Sequence, residues 1–157
     1  MSEVSVLGVD SARGGIVDRF VGVGNPFRTQ SPGVGEEVLD LGCGCGFDVF
    51  FAALLVGLTG RAVGVDLTPE MLTWPRRHAK SMRNVQFEEA DLTLPFADSS
   101  FNLASSNGVL NLVPDKKTAL QEVHRVLRPG GRFVAADLLV IETIPEDVLS
   151  DADAWST

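Results

Sequence analysis

The sequence is poor in the residue types on which several kinds of active site depend. It has no tyrosine, 2 cysteines and 2 histidines in 157 residues. The absence of tyrosine excludes any reaction that needs a catalytic tyrosine. Cys43 and Cys45 are too close in sequence to pair readily with each other, and they suit a reducing compartment. His78 and His124 lie in predicted helices without partners at ligand spacing, so we expect no metal site.

Positive charge and long apolar runs are also scarce. The chain has 13 lysines and arginines against 21 aspartates and glutamates, a formal net charge of −8. Because nucleic acids and anionic membranes are bound by clustered cations, we expect neither as a partner. No apolar run approaches the roughly 20 residues of a membrane span. Residues 1–10 carry neither a basic leader nor a long apolar segment, so we expect a cytoplasmic protein.

From Glu37 onwards, strand and helix patterns alternate along the chain. Such alternation is typical of a doubly wound α/β fold, in which helices cover both faces of a parallel sheet. We predict about five parallel strands, and we divide the chain into a glycine-rich, loop-rich segment (1–36) and one α/β domain (37–157). The predicted strands are 38–41, 61–67, 85–89, 101–105 and 132–140, and the predicted helices are 47–56, 69 to about 83, and 116–127.

The second predicted helix has clear start signals and one interior obstacle. Thr68 stands at the N-cap position and Pro69 at the first helical position. Pro75 falls inside the helix, where proline removes a hydrogen bond at a cost of about 3 kcal/mol. We therefore expect a kink or an early end before Arg83.

The strongest motif is a run of alternate glycines that follows an acid at a strand end. The glycines allow a ligand to approach the backbone closely, although a tight turn alone would also explain them. A dinucleotide fingerprint needs G-x-G-x-x-G, and here its third glycine falls on Phe47 or Val49, which disfavours a nicotinamide-dependent dehydrogenase. An acid at this place suits the ammonium of a methionine group better than a pyrophosphate. The motif comprises Asp40, Gly42, Gly44 and Gly46.

Two further acids follow the next two predicted strands. Asp66 ends the second strand, where a carboxylate can accept hydrogen bonds from both ribose hydroxyls. The alternative is a helix N-terminal acid, a role that Thr68 already fills. Asp91 follows the third strand, placed either to accept from an adenine amino group or to close a turn. Three acids at successive strand ends favour a cationic sulfonium ligand over an anionic phosphate.

These residues resemble the class I S-adenosylmethionine-dependent methyltransferases, which have a Rossmann-like fold, and most closely the arsenite methyltransferases and their relatives. The resemblance covers roughly residues 17–157, and its third segment, SNGVLNLVPDK, is fairly specific. It is carried by Val38–Phe51, Gly64–Met71, Ser106–Lys116 and Val126–Gly131.

The resemblance implies S-adenosylmethionine as the cofactor and a methyltransferase activity on a small molecule. It places Asn107 beside the methyl group, where this residue would orient the acceptor or the cofactor as the catalytic candidate. The expected cofactor-binding residues are Asp40, Gly42, Gly44, Gly46, Asp66, Leu67, Asp91, Leu92 and Asn107.

The chain departs from the arsenite methyltransferases at the residues that would hold arsenic. Those enzymes have a cysteine where this chain has Gly108, and another where it has Val23. Trivalent arsenic is soft and prefers thiolates, as soft ions do in general. The two cysteines of this chain lie in the glycine motif instead. We therefore expect an acceptor larger than arsenite, for which Gly108 leaves room.

The second departure is length, because the family's sheet has seven strands and this chain predicts five. A fragment, a truncated product and a naturally minimal version all remain open. The usual sixth and seventh strands are missing, which leaves the fifth strand near an uncovered edge, so we expect dimerisation there or poor solubility. The residues expected to pair at this strand edge are Val134, Leu138, Leu139 and Val140.

The alternative function, which the missing strands also favour, is an inactive cofactor-binding domain with a regulatory or interaction role.

Overall fold

The computed structural model describes residues 16–91, 93–139 and 141. These residues form one sheet of five parallel strands in the order β3-β2-β1-β4-β5, which confirms the predicted fold class; the described residues contain no sixth or seventh strand. The strands are β1 (Glu37–Leu41), β2 (Arg61–Asp66), β3 (Val85–Glu89), β4 (Phe101–Asn107) and β5 (Leu127–Ala136), and the α-helices are α1 (Phe47–Val56), α2 (Pro69–His78) and α3 (Lys116–Val126).

Helices cover both faces of the sheet, which explains why its central strands are apolar without alternation. α1 and α2 pack on one face, where Val38 and Leu103 belong to the same buried cluster as the apolar residues of α1. α3 packs on the other face through Val123 and Val126. None of the helices in the described ranges is long and apolar enough to cross a membrane.

The sheet reverses its strand order beside β1. β1 pairs with β2 on one side and with β4 on the other. At such a switch point the connections leave in opposite directions and open a crevice at the carboxyl ends of the strands. Asp40 lies in β1 and Asn107 is the last residue of β4, so both are placed at this crevice.

The second helix begins at Pro69 and ends early, both as predicted, but its N-terminal hydrogen bonds differ from the prediction. It ends at His78, and a 3-10 helix (Ala79–Ser81) follows it, so the expected early end occurs three residues beyond Pro75. Thr68 occupies the N-cap position, but its side chain makes no capping hydrogen bond. Instead, the Asp66 carboxylate accepts from the backbone N–H of Thr68 at 2.9 Å. Asp66 therefore holds the residue that precedes the helix and does not cap a helical N–H group.

The fifth strand begins earlier and ends earlier than predicted. Leu127 pairs with Phe101, and pairing resumes only at Arg132 with Leu103, so the predicted turn at residues 128–131 is an excursion within the strand. β5 ends at Ala136 and lies at an edge of the described sheet. The residues expected to pair there are corrected accordingly: Val134 is buried, Leu138 and Leu139 lie beyond the strand, and Val140 is outside the described residues.

The described part of the N-terminal segment packs against the same face of the sheet as α1. It contains two 3-10 helices, Ile16–Arg19 and Pro26–Arg28, with Ile16 and Phe27 buried in the core. The ring centroids of Phe20 and Phe47 are 4.6 Å apart. The predicted domain boundary at residue 36 stays a prediction.

Candidate functional site

A cleft that is partly open to solvent lies at the carboxyl ends of β1 and β4. It is lined by four of the predicted cofactor-binding residues, Asp40, Gly42, Gly44 and Asn107. The described N-terminal segment and the first turn of α1 form the rest of its wall. From these elements the lining includes Arg19, Phe20, Val21, Gly22, Phe47 and Asp48.

Asp40 is a buried carboxyl group at the base of the cleft. Its residue is 3% exposed, and the hydroxyl of Ser105 on the neighbouring strand donates to its Oδ1 at 2.7 Å. Burial raises the pKa of Asp40 well above its usual range, the nearby Asp48 carboxylate raises it further, and the Ser105 hydrogen bond opposes both. A cation in the cleft would favour the ionised form of this group.

Asp48 is a second buried acid in the cleft, and the sequence analysis did not identify it. It lies in the first turn of α1 and is 6% exposed. Burial raises the pKa of Asp48, while the hydrogen bond from Asn107 lowers it. The sequence did contain a signal for a functional or buried acid here, because Asp48 is the one charged residue in the otherwise apolar run Phe47–Val56.

The side-chain amide of Asn107 joins the cleft wall to the N-terminal segment. Its Oδ1 accepts from the N–H groups of Val23 at 2.9 Å and Gly24 at 3.2 Å. Its Nδ2 donates to the Gly24 carbonyl at 2.9 Å and to the Asp48 carboxylate at 2.8 Å. An amide has two donors and two acceptor sites, so all four are used within the protein. The predicted role of Asn107 beside the methyl group stays a prediction.

Asp66 supports the glycine motif from the next strand. Its Oδ2 accepts from the N–H of Gly44 at 2.8 Å, and its Oδ1 binds the start of α2 as described above. Asp66 does not line the cleft itself, but this bond fixes the loop that does. Leu67 follows it and is 68% exposed at the end of β2.

Asp91 and Gly46 are not among the residues that line the cleft. Asp91 is exposed, and its Oδ1 accepts from the N–H of Thr93 at 2.8 Å, which is the turn geometry that we kept as the alternative. Leu92 lies outside the described residues. Gly46 is the N-cap of α1, with φ of 82°, and a Cβ there would lie 2.7 Å from the Phe87 ring. Gly46 therefore permits helix–sheet packing.

Both cysteines are unpaired thiols buried in the glycine loop. Burial raises the pKa of Cys43 and of Cys45, which disfavours the thiolate that a soft metal would need. Across the described residues, no group of three or more histidines, cysteines, aspartates or glutamates could hold a metal ion.

Comparison with known proteins identifies the family of the chain. Residues 33–156 match the methyltransferase domain family. The chain belongs to this family. A methyltransferase domain binds S-adenosylmethionine, and solved structures similar to the chain are S-adenosylmethionine-dependent enzymes.

The relatives of this methyltransferase domain include enzymes with different acceptors. An arsenite methyltransferase from Halobacterium salinarum is 43% identical over 140 residues, which cover 87% of this chain and 36% of the relative. A demethylmenaquinone methyltransferase from Staphylococcus saprophyticus is 36% identical over 104 residues, covering 66% of this chain and 45% of the relative.

A solved structure shows the same architecture. The crystal structure of an arsenic(III) S-adenosylmethionine methyltransferase from Chlamydomonas reinhardtii superposes with a TM-score of 0.79 and is 36% identical, covering 94% of this chain and 52% of that chain. The chain thus spans about half of that solved structure's chain and 36% of the Halobacterium relative.

The donor set of the cleft fits this cofactor. S-adenosylmethionine carries a sulfonium and an ammonium, and the buried carboxyl groups of Asp40 and Asp48 offer negative charge to a cation. In a site of low dielectric such a charge partner counts for more than it would in water. Gly42 and Gly44 line the same cleft and leave its backbone accessible.

Proposed function

We propose that the chain is an S-adenosylmethionine-dependent methyltransferase domain that acts on a small molecule. The observation that carries this proposal is the pair of buried acids, Asp40 and Asp48, in one cleft with the glycine loop at the switch point of the sheet. A ligand that is cationic and has an amino-acid end matches that cleft better than a phosphate does.

Each part of the cofactor has proposed partners in this chain. Asp40 and the loop of Gly42, Gly44 and Gly46 would hold the methionine portion. Asp66 and Leu67 would hold the ribose, and Asp91 and Leu92 the adenine. When bound, the cofactor supplies an electrophilic methyl group for an in-line displacement. The contribution of the protein is then to position the acceptor, which can account for many powers of ten in rate.

The acceptor side supports a substrate other than thiolate-bound arsenic. A Cβ on Gly108 would lie 3.4 Å from Cγ1 of Val23, so these two positions are neighbours in space. They are also the two positions at which the resemblance to arsenite methyltransferases, described in the sequence analysis, leads us to expect cysteines. Here they present one isopropyl group and no side chain. We propose an organic acceptor with an apolar surface at this place.

A methyl-transfer assay tests the proposal. The chain is incubated with methyl-labelled S-adenosylmethionine and either arsenite with glutathione or the small-molecule fraction of a cell extract. We expect label in an organic product and no methylated arsenic. Methylated arsenic would contradict the proposed acceptor. Cofactor binding without transfer to any acceptor would favour the inactive, regulatory or interaction domain.

Two further proposals concern the surroundings of the chain. The free thiols of Cys43 and Cys45 support a reducing, cytoplasmic location. The net charge of −8 supports a partner other than nucleic acid or an anionic membrane.

A further inference from the structure

Arg19 brings a positive charge to the cleft. It ends the 3-10 helix Ile16–Arg19 and is the one lysine or arginine among the described residues that line the cleft. Its guanidinium carbon lies 6.0 Å from the centroid of the Trp74 ring, at the outer limit of a cation–π contact. Its residue is exposed, in contrast to the two buried acids.

The charges of the cleft are arranged by depth. Asp40 and Asp48 provide negative charge at buried positions. Arg19 lines the same cleft at an exposed position, together with Cys45, the pKa of which its positive charge lowers slightly against the effect of burial. The cleft therefore offers partners of opposite sign to one ligand.

The methionine portion of S-adenosylmethionine carries both an ammonium and a carboxylate, so it needs a negative and a positive partner. Its ammonium is attracted by the acids, but its carboxylate would be repelled by them unless a cation stood nearby. An arginine presents several N–H donors in a plane that matches a carboxylate. We propose that Arg19 binds the carboxylate of the cofactor's methionine portion, an inference that rests on the proposed function.

The segment that carries Arg19 is anchored on both sides of this residue. Ile16, at the other end of its 3-10 helix, is 1% exposed, and Phe20 packs on Phe47. There is no room for a side chain at position 22, because a Cβ on Gly22 would lie 2.5 Å from Nδ2 of Asn107. Because this backbone is already packed, binding a ligand there does not require the segment itself to become ordered.

Two ligands that differ by one carboxylate test the inference. S-adenosylhomocysteine and its decarboxylated analogue are titrated calorimetrically into the intact chain and into its Arg19→Ala and Arg19→Gln variants. We expect both substitutions to weaken S-adenosylhomocysteine binding by roughly tenfold to a hundredfold, because a charge-assisted hydrogen bond is lost. The affinity for the decarboxylated analogue should stay unchanged, and Arg19→Lys should restore part of the loss.

Arg77→Ala is the matched control, since Arg77 is exposed on α2 and does not line the cleft. It should alter neither affinity. If the Arg19 variants weaken both ligands equally, or neither, the inference is overturned while the proposed cofactor stands. If the wild-type chain binds neither ligand, the proposed cofactor and this inference fail together.

Discussion

At the scale of single residues, the two acids of the cleft connect stability with binding. Burial raises the pKa of both Asp40 and Asp48. A carboxyl group with a raised pKa holds its proton more tightly in the folded state than in the unfolded chain. The folded state therefore loses stability as the pH rises from the ordinary aspartate range near 4 to the raised pKa. Above that pKa the loss is complete and constant.

The substitution Asp40→Asn should separate the two effects. It removes the cost of ionising a buried group, so we expect the free energy of unfolding to rise by on the order of 1 kcal/mol at pH 8 and to change little at pH 4. The affinity for S-adenosylhomocysteine should fall about tenfold, because the ammonium loses a charged partner. Urea unfolding at both pH values measures the first effect. Asp91→Asn, at an exposed position, is the control; a clear loss of stability at pH 8 in Asp40→Asn would contradict this account.

Cofactor binding should also release protons. The bound ammonium and sulfonium lower the pKa values of Asp40 and Asp48, so affinity should increase with pH through the window between pH 4 and the raised pKa values. Calorimetric titrations in two buffers with different ionisation enthalpies measure the number of protons released. Uptake of protons, or no exchange within this window, would count against the two acids as the ammonium site.

The sequence predicted the residues whose signals are local. Asp40 and the alternate glycines form one short motif, and Asp66 follows from the end of its strand. Asp48 was predictable as a lone acid in an apolar helix. Arg19 was not, because it reaches the cleft through packing of a segment that has no periodic pattern, and its contacts are distant in sequence.

At the scale of elements, both ends of α1 were predicted to the residue and those of β5 were not. The difference is that local signals set the end of α1, whereas pairing with a distant strand sets the start of β5. Gly57 marks the end of α1 by a local change of backbone conformation, with φ of 67°. The start of β5 is fixed instead by the pairing of Leu127 with Phe101, a contact between distant parts of the chain. The turn residues 128–131 predicted that the strand begins after them. In the structure they interrupt the pairing of β5 with β4, which exists on both sides of them.

The junction of α1 with the sheet depends on Gly46. A Cβ at this position would lie 2.7 Å from the Phe87 ring and 3.0 Å from Cβ of Pro75, and φ is 82°. We expect Gly46→Ala to lower the free energy of unfolding by about 2–4 kcal/mol, through overpacking and left-handed backbone strain together. Urea unfolding measures it.

Gly130→Ala is the matched control for backbone strain alone. Gly130 also has a positive φ, 79°, but nothing lies within 4 Å of the added Cβ. We expect a loss of about 1 kcal/mol. Equal losses in the two variants would show that contact with Phe87 contributes nothing.

At the scale of the whole molecule, the site exists because two distant parts of the chain meet at the switch point. The doubly wound parallel sheet followed from the alternation of strands and helices, and with it the end of the sheet at which a ligand is expected, but the strand order did not. The packing of residues 19–24 over that end did not follow, since this segment gave only loop signals. Ile16 and Phe27 are nevertheless part of the core.

Self-association through the β5 edge remains a prediction. β5 is paired on one side only within the described sheet, and Leu138, Leu139 and Ile141, just beyond it, are 64%, 85% and 84% exposed. We expect a dimer that forms with increasing concentration in sedimentation velocity, and that Leu139→Lys weakens. Leu58→Lys, at a residue 89% exposed on another surface, should have no effect. A monomer at every concentration would refute the prediction.

The most direct test of the central claim is the affinity of the intact chain for S-adenosylhomocysteine. The account predicts micromolar binding in a calorimetric titration, and its loss in Asp66→Ala, which removes the acceptor for the Gly44 N–H. A folded chain that shows no binding would contradict the claim that this cleft is an S-adenosylmethionine site.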